Sequence, residues 1–214
     1  IRRIPYQTPS YSVKDGVTLL DTPEGPMPIE VFGAHNLNNL AGAKWICQNM
    51  GVDEADFYEA IASFKGASKR LEKIAEGKGK VAYKDFAHSP SKVSATTQAV
   101  KAQYPDRKLV ACLELHTYSS LNAEFLKEYE GALDAADVAV VFYSPDAVKI
   151  KQLEEVTYEQ IAESFKRKDL IIYTNPIEFK DFLFHYDLNN TALLLMSSGN
   201  YGGLNFDEVK KLML

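Results

Sequence analysis

His35, Asn36 and Asn39 crowd one stretch, Gly33-Ala34-His35-Asn36-Leu37-Asn38-Asn39, that reads as a strand running into a helix. Asn36 and Asn39 are three apart and therefore share a helix face. Their carboxamides can donate to and accept from the edge of a base, and a helix N-terminus favours anionic groups. Val31 and Phe32 read as the end of the strand. Asn36 reads as the N-cap, whose side-chain oxygen accepts N–H groups of the first turn. A plain strand–helix corner with an Asn cap would use the same residues.

Further polar clusters follow short apolar runs. They are Asp85-Phe86-Ala87-His88-Ser89-Pro90, Glu114-Leu115-His116-Thr117-Tyr118-Ser119-Ser120, Tyr143-Ser144-Pro145-Asp146 and Ser197-Ser198-Gly199-Asn200-Tyr201-Gly202-Gly203. The runs before them, Val81–Asp85, Lys108–Leu115, Val138–Tyr143 and Thr191–Ser197, read as strands, and Leu170–Tyr173 as a shorter one. Helical spacing is read at 90–103, 121–129, 157–165, 177–184 and 206–212. Strands alternating with helices predict a mostly parallel Rossmann-like α/β sheet with helices on both faces, and the all-apolar runs fit burial on both sides. In such sheets ligands lie beyond the C-terminal strand ends, where these clusters fall.

Ahead of this region, residues 1–32 read as β-rich. Val17–Leu20 and Ile29–Phe32 are strand-like runs around the turn-forming Thr22-Pro23-Glu24-Gly25-Pro26. Helices are expected at 37–49 and at 54–64, the second capped by Asp53. The pattern breaks at Phe64–Arg70, which places a domain boundary there, with parts 1–65 and 66–214. The charged run from Lys69 to Lys84 reads as a solvated linker face.

The chain of 214 residues is 46% hydrophobic and 25% charged, enough for a sizeable core. A net charge of −5 and the lack of a basic run argue against a nucleic-acid partner. No apolar run approaches the roughly 20 residues that cross a bilayer, and Ile1-Arg2-Arg3-Ile4-Pro5 lacks the apolar core of a signal peptide. Cys47 and Cys112 have no metal-ligand spacing; two thiols inside apolar elements suit a reducing, cytoplasmic setting. No metal site is expected in the chain.

Four stretches together resemble the ATP-dependent Mur ligases of peptidoglycan synthesis. Gly33–Ala41 is similar to their G-x-H-N-x-x-N-x-x-A signature, and Phe64–Glu72 to their F-x-G-x-x-x-R-x-E hinge. Asp85–Pro90 is similar to D-[YF]-[AG]-H-x-P, and Leu195–Asn200 to the late M-G-A-G-[DN] turn. The resemblance covers almost the whole chain. It implies the tail of a central ATPase domain (1–65, incomplete) followed by a C-terminal domain (66–214). The family's phosphate loop, G-x-x-G-K-[ST], does not occur in these residues. The expectation is a fragment, inactive alone, whose UDP-sugar-binding and phosphate-binding parts lie elsewhere in the protein.

The implied reaction joins UDP-N-acetylmuramate to an amine through an acyl phosphate, with ATP and Mg2+, the metal's ligands falling mainly outside this stretch. In the L-alanine-adding branch the loop matching Leu115–Ser120 ends in arginine; here Ser120 stands in its place, which suggests a larger acceptor. The closer branch is then the one that attaches recycled murein tripeptide. Motif matches place His35, Asn36 and Asn39 around adenine, Arg70 on a nucleotide phosphate and Asp85 on the ribose. His88 falls at the domain cleft, and with Arg70 forms the catalytic pair. His116, Thr117, Ser120 and Asn200 are assigned to the acceptor peptide. An L-alanine ligase, a folylpolyglutamate-type ligase and a non-catalytic nucleotide- or peptide-binding module remain open.

Overall fold

The computed structural model describes residues 3–154 and 156–214. Ile1 and Arg2 of the N-terminal stretch read above lie outside them. The chain divides into two compact units, residues 1–67 with 102–104, and residues 68–101 with 105–214.

The first unit opens with an antiparallel meander of β1 (Tyr11–Lys14), β2 (Val17–Thr22) and β3 (Gly25–Ile29). Asp15 and Gly16 make the two-residue turn that suits right-handed strand twist. Pro26 and Pro28 sit in β3, an edge strand, where a missing N–H is tolerated. Helices α1 (Ala34–Asn49) and α2 (Glu54–Ala62) follow. Leu20 and Ile29 from the strands meet Leu37, Leu40 and Phe57 from the helices in one apolar cluster.

Two expectations are corrected here. The strand expected at Ile29–Phe32 ends at Ile29, and the helix begins at Ala34. The N-cap is Gly33, not Asn36. Gly33 adopts φ 88°, a bend that side chains resist, and its carbonyl accepts the N–H groups of Asn36 and Leu37 at 3.0 Å. Asn36 lies inside the first turn, with its Nδ2 donating back to Phe32 O at 3.0 Å. Asp53 does stand at the N-cap of α2, but its side chain makes no cap bond.

The second unit is a six-stranded sheet. Its strands are β4 (Glu72–Gly77), β5 (Lys80–Asp85), β6 (Lys108–Leu115), β7 (Val138–Tyr143), β8 (Ile171–Tyr173) and β9 (Thr191–Met196). The order is β4-β5-β9-β6-β7-β8, with only β4 antiparallel to its neighbour. Helices α3 (Pro90–Gln103), α4 (Ala123–Leu126, running into a 3-10 turn at Lys127–Tyr129), α5 (Pro145–Ile150), α6 (Tyr158–Phe165), α7 (Pro176–His185) and α8 (Phe206–Met213) complete it. This is the mostly parallel, helix-flanked α/β sheet expected.

Both sheet faces are covered. Val110, Cys112, Val140, Phe142, Leu193 and Leu195 pack with Phe179 and Leu183 of α7 and Val209 and Met213 of α8. The alternate residues Leu109, Ala111, Leu113 and Leu115 are as deeply buried, as are Val93 and Val100 of α3 and Ile161 and Phe165 of α6. The two sets follow the period of two that sends successive side chains to opposite faces.

Part of the run Lys69–Lys84 is not a solvated linker. Glu72–Gly77 forms the edge strand β4, paired with β5 across a bulge between Lys73 and Ala75. An edge strand can carry many charges because one side of its ladder faces outward, which hid it in a charged sequence. The helix expected over 121–129 is shorter, because Asn122 caps it by accepting the N–H groups of Glu124 and Phe125. Helix α5, with Pro145 in its first turn and Ser144 as its cap, was not foreseen.

Candidate functional site

Strand β9 enters the sheet last, between β5 and β6. The loops leaving the C-terminal ends of β5, β9 and β6 therefore stand side by side, where a parallel sheet offers its crevice. Two buried carboxylates organise this edge: Asp85, the last residue of β5, is 7% exposed, and Glu114, near the end of β6, is 3% exposed. A carboxylate this buried must be matched by donors.

Asp85 is matched by backbone. Its Oδ2 accepts Leu71 N–H and its Oδ1 accepts Ala87 N–H, each at 2.6 Å. Bonds to an ionised oxygen are short and roughly twice as strong as neutral ones. Phe86 N–H donates to Lys69 O at 2.8 Å, so the segment before β4 is bound to the turn after β5 at two points. Arg70 lies in that segment and is exposed. Its neighbours Lys69 (φ 57°) and Leu71 (φ 45°) are both left-handed, each at a cost of about 1–2 kcal/mol.

The turn after β5 carries His88. Its Nδ1 lies 2.7 Å from Phe86 O. A carbonyl only accepts, so Nδ1 holds the hydrogen, which in the neutral tautomer leaves Nε2 as the acceptor. Phe86 packs edge-on to the imidazole, 5.0 Å between centroids, and His88 O accepts the hydroxyl of Tyr129. Burial pushes the Tyr129 phenol well above its ordinary range, so it stays a neutral donor.

Glu114 is matched from across the sheet. Its Oε2 accepts the hydroxyl of Ser197 and the N–H of Tyr201, the latter at 2.9 Å. Ser197 Oγ in turn accepts Gly199 N–H at 2.6 Å, and Ser197 N–H donates to Asp85 O at 2.9 Å. Ser197 thus ties the ends of β5 and β6 together. Oε1 of Glu114 faces His116 Nδ1 at 3.6 Å, and the side chain of His116 is 40% exposed. Tyr201 is buried, stacks on Phe179 at 4.9 Å, and has its hydroxyl 2.8 Å from both Cys112 O and Met196 O. Burial, first, and then nearby Cys112 and Glu114 raise its phenol well above the ordinary value.

The residues singled out in the sequence fall into separate groups. Asp85 and His88 stand at the end of β5, and the backbone on either side of Arg70 is bonded there. His116, Thr117 and Ser120 sit on the loop after β6, and Asn200 on the loop after β9. Asp85, expected on a ribose, has both oxygens engaged by backbone. Ser120, expected to line an acceptor pocket, is instead 1% exposed. Its Oγ accepts Thr117 N–H at 3.0 Å, and Ser120 N–H donates to Thr117 Oγ1 at 3.1 Å. Hydroxyls three residues apart close on each other's backbone, so this pair shapes the loop and leaves His116 as its outward imidazole. Asn200 Oδ1 accepts Gly203 N–H at 3.2 Å, and Asn200 remains exposed.

In the first unit, His35 and Asn36 are half-buried and Asn39 is exposed, all within the first turns of α1. An open groove of about 440 Å3 in this unit is lined by Tyr6, Leu40, Lys44, Trp45 and Tyr58 among others; none of His35, Asn36 and Asn39 lines it. Among the described residues, no group of three or more His, Cys, Asp and Glu side chains is placed to hold a metal ion. No helix of the described residues is long and apolar enough to cross a membrane.

Glu114, Ser197 and Tyr201 were not foreseen as site residues. The sequence signal for Glu114 was a lone acid inside the apolar run Leu113-Glu114-Leu115. Ser197 and Tyr201 carried no such signal.

No protein-family model matches the chain. It is similar to the UDP-N-acetylmuramate–L-alanine ligase of Agathobacter rectalis, 29% identical over 202 residues, covering 94% of this chain and 42% of that protein. Its fold is similar to the crystal structure of the UDP-N-acetylmuramate-alanine ligase of Thermotoga maritima, with a TM-score of 0.68, 18% identity, and 95% of this chain and 44% of that one covered. It is also similar to a murein peptide ligase of Psychrobacter arcticus, with a TM-score of 0.60, 21% identity, and 92% and 41% covered. The chain spans less than half the length of the curated relatives it matches. The chain is thus similar to Mur ligases in sequence along nearly its whole length, and in fold.

Proposed function

We propose that these residues are the closing portion of an ATP-dependent ligase that joins UDP-N-acetylmuramate to an amine, with murein tripeptide as the acceptor. On this reading residues 1–65 finish the ATPase domain, residues 66–214 are the acceptor-binding domain, and the 214 residues alone are inactive. The observation that carries it is the edge of β5, β9 and β6, where exposed Arg70 and half-buried His88 and His116 stand beside two buried, donor-matched carboxylates.

The chemistry is phosphoryl transfer followed by acyl transfer. The γ-phosphoryl group of ATP passes to the muramoyl carboxylate as ADP leaves; the acceptor's neutral amine then attacks the carbonyl, phosphate leaves with the bonding pair, and the new amide nitrogen gives up one proton to solvent. Such steps depend on positioning and on neutralising charge as it develops. Arg70 supplies a planar, permanently charged fork for phosphate oxygens. His88 offers Nε2 as an acceptor, and His35, Asn36 and Asn39 are assigned to the adenine. His116, held near Glu114, and Asn200 meet the acceptor. Mg2+ accompanies ATP in this class of reaction. The described residues offer no cluster of His, Cys, Asp and Glu suited to holding it.

The acceptor assignment rests on position 120. A buried serine committed to its own loop offers no cation to a small amino acid's carboxylate. L-alanine is the second reading, favoured by the names of the curated relatives. The full-length protein, given ATP, UDP-N-acetylmuramate and either L-alanyl-γ-D-glutamyl-meso-diaminopimelate, L-alanine or glutamate, should release phosphate with the tripeptide. Release with L-alanine alone overturns the acceptor assignment, and release with none of the three overturns the ligase reading.

A further inference from the structure

We propose that Asp85 is a positioning residue for Arg70: its carboxylate latches the backbone bends on either side of that arginine and so aims the guanidinium. The proposal deepens the reading above and rests on Arg70 meeting a phosphate. Lys69 and Leu71 lack the short polar side chains that settle into left-handed backbone, yet both adopt it, at φ 57° and 45°. Such conformations persist only where the surroundings over-determine them.

The surroundings do so here. Leu71 N–H is taken by Asp85 Oδ2, Lys69 O by Phe86 N–H, and Lys69 N–H by Glu72 Oε2 at 2.8 Å. Glu72 is itself anchored to Lys84 by its other oxygen at 2.9 Å. Arg70 is the residue between the two bends, held at both flanks, with its own side chain exposed. The second oxygen of Asp85 grips Ala87 N–H, so one carboxylate sets both the segment carrying Arg70 and the turn carrying His88. Its backbone carbonyl accepts Ser197 N–H, which fixes the latch to β9. Asparagine has the same shape but one acceptor and one donor, so one of the two N–H groups would face a donor.

The test compares Asp85→Asn, Arg70→Ala and the double variant in the full-length ligase, with hydrogen exchange read by mass spectrometry. Asp85→Asn should speed exchange in peptides covering 69–73 and 85–89 while β9 stays protected. Each single variant should lower kcat by about 100-fold, the loss expected when a reacting group is misplaced by an ångström. The double variant should lose clearly less than the product of the two singles, because part of the effect of Asp85 acts through the arginine and only the remainder through the turn carrying His88. Lys69→Gly, an exposed change that keeps Asp85, frees the bend and should lower kcat by about 10-fold with the fold intact. Unchanged exchange at 69–73 in Asp85→Asn overturns the latch. A double variant whose loss is the product of the two singles overturns its action through Arg70. Full activity of Arg70→Ala alongside faster exchange removes the phosphate assignment under Proposed function and leaves the latch standing as a backbone device.

Discussion

Glu114 Oε2 accepts the backbone N–H of Tyr201 at 2.9 Å, joining the end of β6 to the turn after β9 through the same oxygen that takes the hydroxyl of Ser197. With these donors in place a carboxyl group can sit at 3% exposure near the end of an apolar strand. Removing the acceptor strands two donors. Glu114→Ala should therefore destabilise the protein by about 3 kcal/mol. Glu114→Gln keeps one acceptor oxygen and should lose only the charge assistance, about 1 kcal/mol. Urea unfolding checks both; equal losses would mean that packing, not hydrogen bonding, carries the contribution of Glu114.

Gly199 allows a close approach. A methyl group there would lie 2.8 Å from Glu114 Oε2 and 3.0 Å from His116 Cγ. The carboxylate is pinned, so the imidazole must give way. Gly199→Ala is expected to cost about 1–3 kcal/mol, the range for overpacking, and to raise the acceptor KM more than the ATP KM. Thermal melting and steady-state kinetics read the two effects separately. A raised ATP KM alone would place His116 outside the acceptor site.

Glu72 responds to pH. Partial burial raises the pKa of its carboxyl, but the Lys69 N–H, the Lys84 ammonium and the Ser68 hydroxyl outweigh this and hold it below its ordinary 4.5. A depressed folded-state value means that stability is fully present above the unfolded-state value. It is lost as pH falls through the lower folded-state one. The segment 68–72 should therefore loosen on acidification below the ordinary range of a glutamate carboxyl, detected as faster exchange in its peptides at matched intrinsic rates. Glu72→Gln should remove that pH dependence.

Lys69→Gly separates stability from aim. Glycine adopts φ 57° without the side-chain clash, so the folded state should gain up to about 1 kcal/mol despite the more flexible unfolded chain. The melting temperature should rise while kcat falls, the trade-off expected where strain serves a site. A fall in melting temperature would show that the bend carries no strain.

Much of the second unit was legible because its signals are local. Lys108–Leu115 and Val138–Tyr143 are apolar runs of strand length, and the structure places strands at those same residues. β4 escaped because its charges, tolerable on an edge, mask the pairing with β5. The start of α1 was misplaced because a good capping residue, Asn36, competes with a glycine bend three residues earlier, and the bend decides where the chain turns.

By itself the sequence determined the α/β class, the polar crest beyond the strand ends, and which residue types stand there, because hydrophobic periodicity and turn chemistry are written within a few residues. Only the tertiary structure decided which of those groups face outward and which are spent on the scaffold. Asp85 reaches Leu71 across 14 residues and Glu114 reaches Tyr201 across 87, while Ser120 turns inward to Thr117. A buried carboxylate takes its donors from whatever backbone the sheet brings beside it, and the order β5-β9-β6 that sets those neighbours is a property of the folded chain.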